Sequence, residues 1–127
     1  RIFLLGAAGD KLIAEEIVQK SGNAQITNCC GAFSFLQTAA LMKDAAMNYT
    51  NDSAPLHFAS AMNARVTAVF CSTVPQFGFG PLSTESYILE EESDLYCRPC
   101  GLHGYKSCPE KHFDCAKKIH MTTFLPG

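Results

Sequence analysis

The sequence predicts an α/β fold: a parallel sheet with flanking helices. Three observations carry this. Short apolar runs recur roughly every twenty residues, as βαβ units require. Ile2–Leu5 is apolar throughout and Val66–Phe70 is so but for Thr67, instead of alternating, as expected of strands covered on both faces. Between the runs lie segments with helical apolar spacing, opened by capping residues and closed by glycine or asparagine.

Ile2-Phe3-Leu4-Leu5 is the first strand and breaks at Gly6-Ala7-Ala8-Gly9. Asp10 then opens a helix in which Ile13, Ala14, Ile17 and Val18 share a face, and Ser21-Gly22-Asn23 ends it. A second strand, Ile26–Cys29, leads to Gly31-Ala32-Phe33. Ser34 and Gln37 form a capping box, and Phe35, Leu36, Ala39, Ala40 and Met42 supply the buried face of the helix behind it. The third strand is read at Ala46–Tyr49. A helix runs from the turn after it to Met62. Val66–Phe70 is a fourth strand, and Cys71–Pro81, rich in glycine, proline and aromatics, is a loop. Tyr87–Leu89 is a short fifth strand. Glu90-Glu91-Glu92 reads as a solvated corner with no assigned role.

Composition bounds the function. The 127 residues suffice for one domain with a core, and 47% hydrophobic with 17% charged residues is ordinary for a globular chain. A net charge of −2 leaves no basic surplus to neutralise phosphates, so no nucleic-acid partner is expected. No apolar run approaches the ~18 residues of a membrane span, and no signal peptide is visible. Opening on a strand without methionine, the chain reads as part of a longer protein.

The stretch Thr50-Asn51-Asp52-Ser53-Ala54-Pro55-Leu56-His57 organises the chemistry. Asp52 and Ser53 suit a helix N-cap, and Pro55 suits the first turn. A helix N-terminus at the carboxyl edge of a sheet is an anion site, and His57 can reach the same anion. A well-capped surface helix with an incidental histidine has the same pattern. Asp10, Phe33, Asp52–His57 and Ser72–Gly80 all follow strands, at the edge where ligands of parallel sheets bind. An acid there accepts ribose hydroxyls, an aromatic covers a base and a helix N-terminus holds phosphates. A phospho-acceptor receiver needs an acidic pocket, whereas only Asp10 and Asp52 fall at this edge.

Seven cysteines are many for the length. Without a secretory signal they read as reduced thiols, Cys29, Cys30 and Cys71 packed at strand ends. Cys97-x-x-Cys100 with Cys108 and Cys115 offers a partial zinc pattern, with His112 able to replace one thiol. On one helix Cys108 and Cys115 would stand about 10 Å apart, too far to share an ion, so Cys108 would have to lie in the preceding loop. Packing of small thiols in an irregular tail is the alternative. A thioredoxin-like role fails, because Gly101 and Gly104 stand where a helix should begin.

Asp52-Ser53-Ala54-Pro55-Leu56-His57, followed by Ala59 and Ala61, resembles the Asp-Ser/Thr-Gly-x-x-His-x-Ala signature of the family 9 glycosyltransferases, the ADP-heptose:lipopolysaccharide heptosyltransferases. Leu4-Leu5-Gly6, Ser34–Leu41, Val69–Pro75 and Cys97-Arg98-Pro99-Cys100 extend the likeness over nearly the whole chain. The resemblance implies the C-terminal half of a two-domain GT-B enzyme, with residues 1–127 as part of its Rossmann-like nucleotide-sugar domain and 97–120 as a cysteine-rich segment. It implies transfer of heptose or a related sugar from an ADP-sugar to a lipopolysaccharide core acceptor. Transfer would invert the anomeric centre without metal or cofactor, with the catalytic base in a domain outside this chain. The chain alone would then be inactive.

Asp52 would contact the donor sugar or its phosphate linkage. Ser53 and Ala54 would offer backbone N–H groups to the pyrophosphate beside Pro55, His57 would steady a phosphate, Asp10 would hold the ribose, and Phe33 would border the adenine. Ala54 departs from the family's usual glycine and narrows the backbone's freedom there. A cytoplasmic location follows, with peripheral association at the inner membrane. The competing reading is a non-catalytic phospholigand-binding or zinc-stabilised module on the same sheet. A preceding Rossmann-like segment with a carboxylate after its first strand would favour the enzyme.

Overall fold

A computed structural model describes residues 1–120; residues 121–127 of the expected domain lie outside the described residues. The chain divides into two compact units, Arg1–Leu41 and the remainder from Met42 onward. Its order is β1 (Ile2–Leu4), α1 (Lys11–Ser21), β2 (Ile26–Asn28), α2 (Phe35–Lys43), β3 (Asn48–Asn51), α3 (Ala54–Ala61), β4 (Val66–Phe70), β5 (Ser86–Glu90) and α4 (Asp114–Lys117). Every strand pairing is parallel, so the α/β class expected from the sequence is the observed one. The strands pair as two sheets, β1–β2 and β3–β4–β5.

In the first unit Ile2 pairs with Ile26 and Leu4 with Asn28. A single 3-10 turn, Ala8–Asp10, precedes α1, and Gly22 closes that helix in the left-handed conformation at φ 62°, where glycine avoids a Cβ clash. Ser34 and Gln37 form the expected capping box: Gln37 Oε1 accepts from Ser34 N–H at 2.9 Å, and Ser34 Oγ accepts from Gln37 N–H at 3.3 Å. The expected burial is not met. On α1 only Ala14 is buried, and Ile13 and Ile17 are exposed. On α2 Phe35 and Leu36 are exposed, Ala40 likewise, and only Met42 is buried. Helical spacing identifies an apolar stripe but not an element to cover it, and apolar residues also populate surfaces.

The second unit is built on β4, the centre of its sheet. Val66, Ala68 and Phe70 are fully buried and Thr67 nearly so, which explains why this strand is legible as an apolar run. Leu56 and Ala59 of α3 join the same core. The third strand lies two residues beyond its expected place. Asn48 and Thr50 point inward while Tyr49 and Asn51 are exposed, so polar residues form a strand that apolar content alone misplaces. Asn48 is accommodated because its Nδ2 donates to Met42 O and Arg65 O, both at 2.9 Å. The segment leading into β5 is strapped to the region of α3. Ser83 Oγ donates to Ala59 O, and Thr84 N–H and Oγ1–H donate to Asn63 Oδ1. Among the described residues no helix is long and apolar enough to cross a membrane.

Candidate functional site at the carboxyl ends of the strands

In the first unit, Asp10 and Phe33 follow the carboxyl ends of β1 and β2. Asp10 Oδ2 accepts the Ala7 N–H at 2.8 Å, so the carboxylate shapes the loop it leaves. A methyl on Gly6 would meet Asp10 Oδ2 at 2.9 Å and Cys30 Sγ at 3.0 Å; only glycine lets the two approach. Phe33 lies in the turn before α2, with its ring partly open to solvent.

In the second unit, the turn from Asp52 to His57 joins the carboxyl end of β3 to α3. Ser53 stands at the N-cap in extended conformation with Pro55 in the first turn, as expected, but its hydroxyl does not cap the helix. It donates instead to Asn51 Oδ1 at 2.5 Å, and Ser53 O accepts from Leu56 N–H at 3.0 Å. The Asp52 carboxylate also leaves the helix: its Oδ2 accepts from Thr73 Oγ1 at 2.6 Å. Ala54 and His57 are exposed, and the His57 ring meets Phe79 edge-on, centroids 6.5 Å apart. The turn thus brings together Asp52, Ser53, Ala54, Pro55 and His57, with Thr73 and Phe79 arriving from the loop after β4.

The sequence places Thr73 at the ligand edge, within Ser72–Gly80, but not its bond to Asp52, and it gives Arg98 no place at the site. The Arg98 side chain is only 10% exposed, and its Nη2 donates to Thr73 O at 2.9 Å and to Glu90 Oε2 at 2.5 Å. The signals for these two residues are position, Thr73 three residues after the end of the central strand and Arg98 between two cysteines, and the family likeness that covers Val69–Pro75 and Cys97–Cys100.

All seven cysteines are free thiols. Cys71, Cys100, Tyr105, Cys108, Phe113 and Cys115 line part of a cleft of about 430 Å³. Cys108 does lie in the loop before α4, and Cys97 Sγ stands 4.0 Å from His112 Nε2. Among the described residues, however, no three His, Cys, Asp or Glu side chains are grouped to hold a metal ion. Burial pushes the Cys71, Cys100 and Cys115 thiols up, with Arg98 partly opposing the shift at Cys71.

Parallel strands whose carboxyl ends lead into helices define a Rossmann-like α/β architecture, in which ligands characteristically bind at that edge. The model of glycosyltransferase family 9 (heptosyltransferase) matches residues 1–111, and the chain belongs to that family. It is 29% identical over 122 residues to lipooligosaccharide heptosyltransferase 2 of Campylobacter jejuni, covering 93% of this chain and 36% of that protein. Its fold is similar to the solved E. coli ADP-heptose LPS heptosyltransferase II, with TM-score 0.66 at 23% identity, over 93% of this chain and 35% of that one. The chain spans about a third of the length of these relatives.

Proposed function

We propose that this chain is the donor-binding part of a heptosyltransferase that moves heptose, or a related sugar, from an ADP-sugar to a lipopolysaccharide core acceptor. The observation that carries this is the Asp52–His57 turn: a helix N-terminus, a half-buried carboxylate and an exposed histidine at one strand end. The relatives' names, which specify heptosyl transfer and in one case ADP-heptose, support the donor class.

In this reading Ser53 and Ala54 present main-chain N–H groups to the diphosphate, and the α3 dipole and His57 stabilise the charge that grows on it as the sugar leaves. Asp52 contacts the sugar or its phosphate linkage, and Pro55 fixes the turn. Asp10 takes the ribose and Phe33 borders the adenine. Displacement at the anomeric carbon inverts it in one step, with no metal or cofactor. The base and the acceptor site belong to a domain outside residues 1–127, so this chain alone is inactive. The enzyme works in the cytoplasm, peripherally at the inner membrane.

Calorimetric titration of the full-length protein with ADP and then UDP tests the donor reading, repeated on His57→Ala. Tight ADP binding that weakens about tenfold in the variant is expected, in line with one charge-assisted hydrogen bond. Failure to bind either nucleotide overturns the reading.

A further inference from the structure

The turn after β4 is held from behind by the cysteine-rich segment. Arg98 Nη2 donates to Thr73 O, and Cys100 N–H donates to Ser72 O at 2.8 Å. Gly104, at φ 74°, lies so close that a Cβ there would stand 2.6 Å from Ser72 Oγ. Three points of the segment therefore meet two consecutive residues of the turn. Arg98 is itself fixed by Glu90 at the end of β5, and its buried Nε finds no hydrogen-bond partner among the described residues, so Nη2 carries the hold. On its other side the turn presents Thr73, 7% exposed, whose hydroxyl donates to Asp52 Oδ2. A continuous path thus runs Glu90–Arg98–Thr73–Asp52.

We propose that Arg98 and Thr73 are positioning residues for the sugar donor: Arg98 fixes the turn through the Thr73 carbonyl, and Thr73 orients the Asp52 carboxylate. This rests on the donor reading above. A carboxylate with one oxygen committed to a fixed hydroxyl loses its freedom about the last side-chain torsion, and its second oxygen then faces one direction. Binding sites need their polar groups held to within about 0.5 Å, which a surface aspartate in a loop does not achieve unaided. The brace supplies that rigidity from a segment that has no place in the sheet.

The test is calorimetric binding of ADP-heptose to the full-length protein, with thermal unfolding recorded for each variant. Thr73→Val and Arg98→Met are each expected to weaken binding about tenfold, the worth of one hydrogen bond to a charged group. Thr73→Ser and Arg98→Lys, which keep the donors, should stay within about threefold of the parent. The double variant Thr73→Val/Arg98→Met should bind no more weakly than the weaker single, because both act through Asp52. Multiplicative losses in the double variant, or conservative variants as weak as the disruptive ones, overturn the proposal. If Asp52→Asn and His57→Ala weaken binding while Thr73→Val does not, the positioning role falls and the donor reading stands. If the parent binds neither ADP-heptose nor ADP, the donor reading falls and the proposal with it. Should Arg98→Met fail to fold, Thr73→Val against Thr73→Ser decides.

Discussion

Asn48 gives the Arg65 carbonyl two hydrogen bonds, one from its main chain at 3.1 Å and one from its side chain at 2.9 Å. The same Nδ2 reaches Met42 O. One side chain therefore ties the start of β3 both to the end of α2 and to the residue before β4. Asn48→Ala should destabilise the fold by about 2–3 kcal/mol in urea unfolding, since two acceptors lose a buried donor. Asn48→Asp should cost more, because a carboxylate would face two carbonyl oxygens.

Phe70 closes the buried strand β4 and is fully buried, as is Leu56 facing the same core. Phe70→Ala should cost about 3–5 kcal/mol and Leu56→Ala about 2–5 kcal/mol, the usual range for cavities of this kind. Chemical denaturation of the full-length protein measures both, and a loss under 1 kcal/mol at either would mean that the site collapses around the void.

The Asp10 carboxylate and the Cys30 thiol both lie close against Gly6. Gly6→Ala should displace the Asp10 carboxylate from the Ala7 N–H, since the added methyl would stand 2.9 Å from Oδ2. If Asp10 holds the ribose, ADP affinity falls along with stability. An Asp10→Asn variant reports the first effect alone, because the amide oxygen still accepts from Ala7.

Burial raises the Cys100 and Cys115 thiols above the usual thiol range, and neighbouring thiols add to the shift. Thiolate is the nucleophile, so alkylation at pH 8 should be much slower in the folded protein than in urea, and should accelerate with pH. Folding holds these protons more tightly. Their stabilising contribution is therefore complete below the unfolded thiol pKa, about 8.5, and is lost as pH rises through the higher folded values. Thermal unfolding between pH 7 and 10 should show that decline, reduced in Cys115→Ala.

What the sequence revealed depended on how local each feature is. The Ser34–Gln37 capping box, the Gly22 stop and Pro55 at the start of α3 involve residues a few positions apart, and each stands where pattern placed it. β4 is legible because it is buried on both faces. β3 shifted because Asn48 and Thr50 are polar yet buried: the Asn48 side chain finds its acceptors at Met42 and Arg65, and the Thr50 hydroxyl has no hydrogen-bond partner among the described residues. The buried faces of α1 and α2 were misjudged because periodicity says nothing of coverage. Of the candidate site, the Asp52–His57 turn was readable as a unit. Its contacts with Thr73 and Phe79 join residues about twenty positions apart and leave no periodic trace.

The brace on Thr73 has a consequence for biosynthesis. β3, β4 and β5 pair with their sequence neighbours, so the sheet and α3 can form as soon as Glu90 has cleared the ribosome. Arg98, Cys100 and Gly104 emerge only afterwards. During translation the protein thus passes through a stage that has its scaffold but an untethered turn. A nascent chain stopped after Glu92 should resist proteolysis across β3–β5, yet be cut at 72–80. Architecture comes first, and the fixed geometry of the turn after β4 follows only once residues 98–104 have emerged.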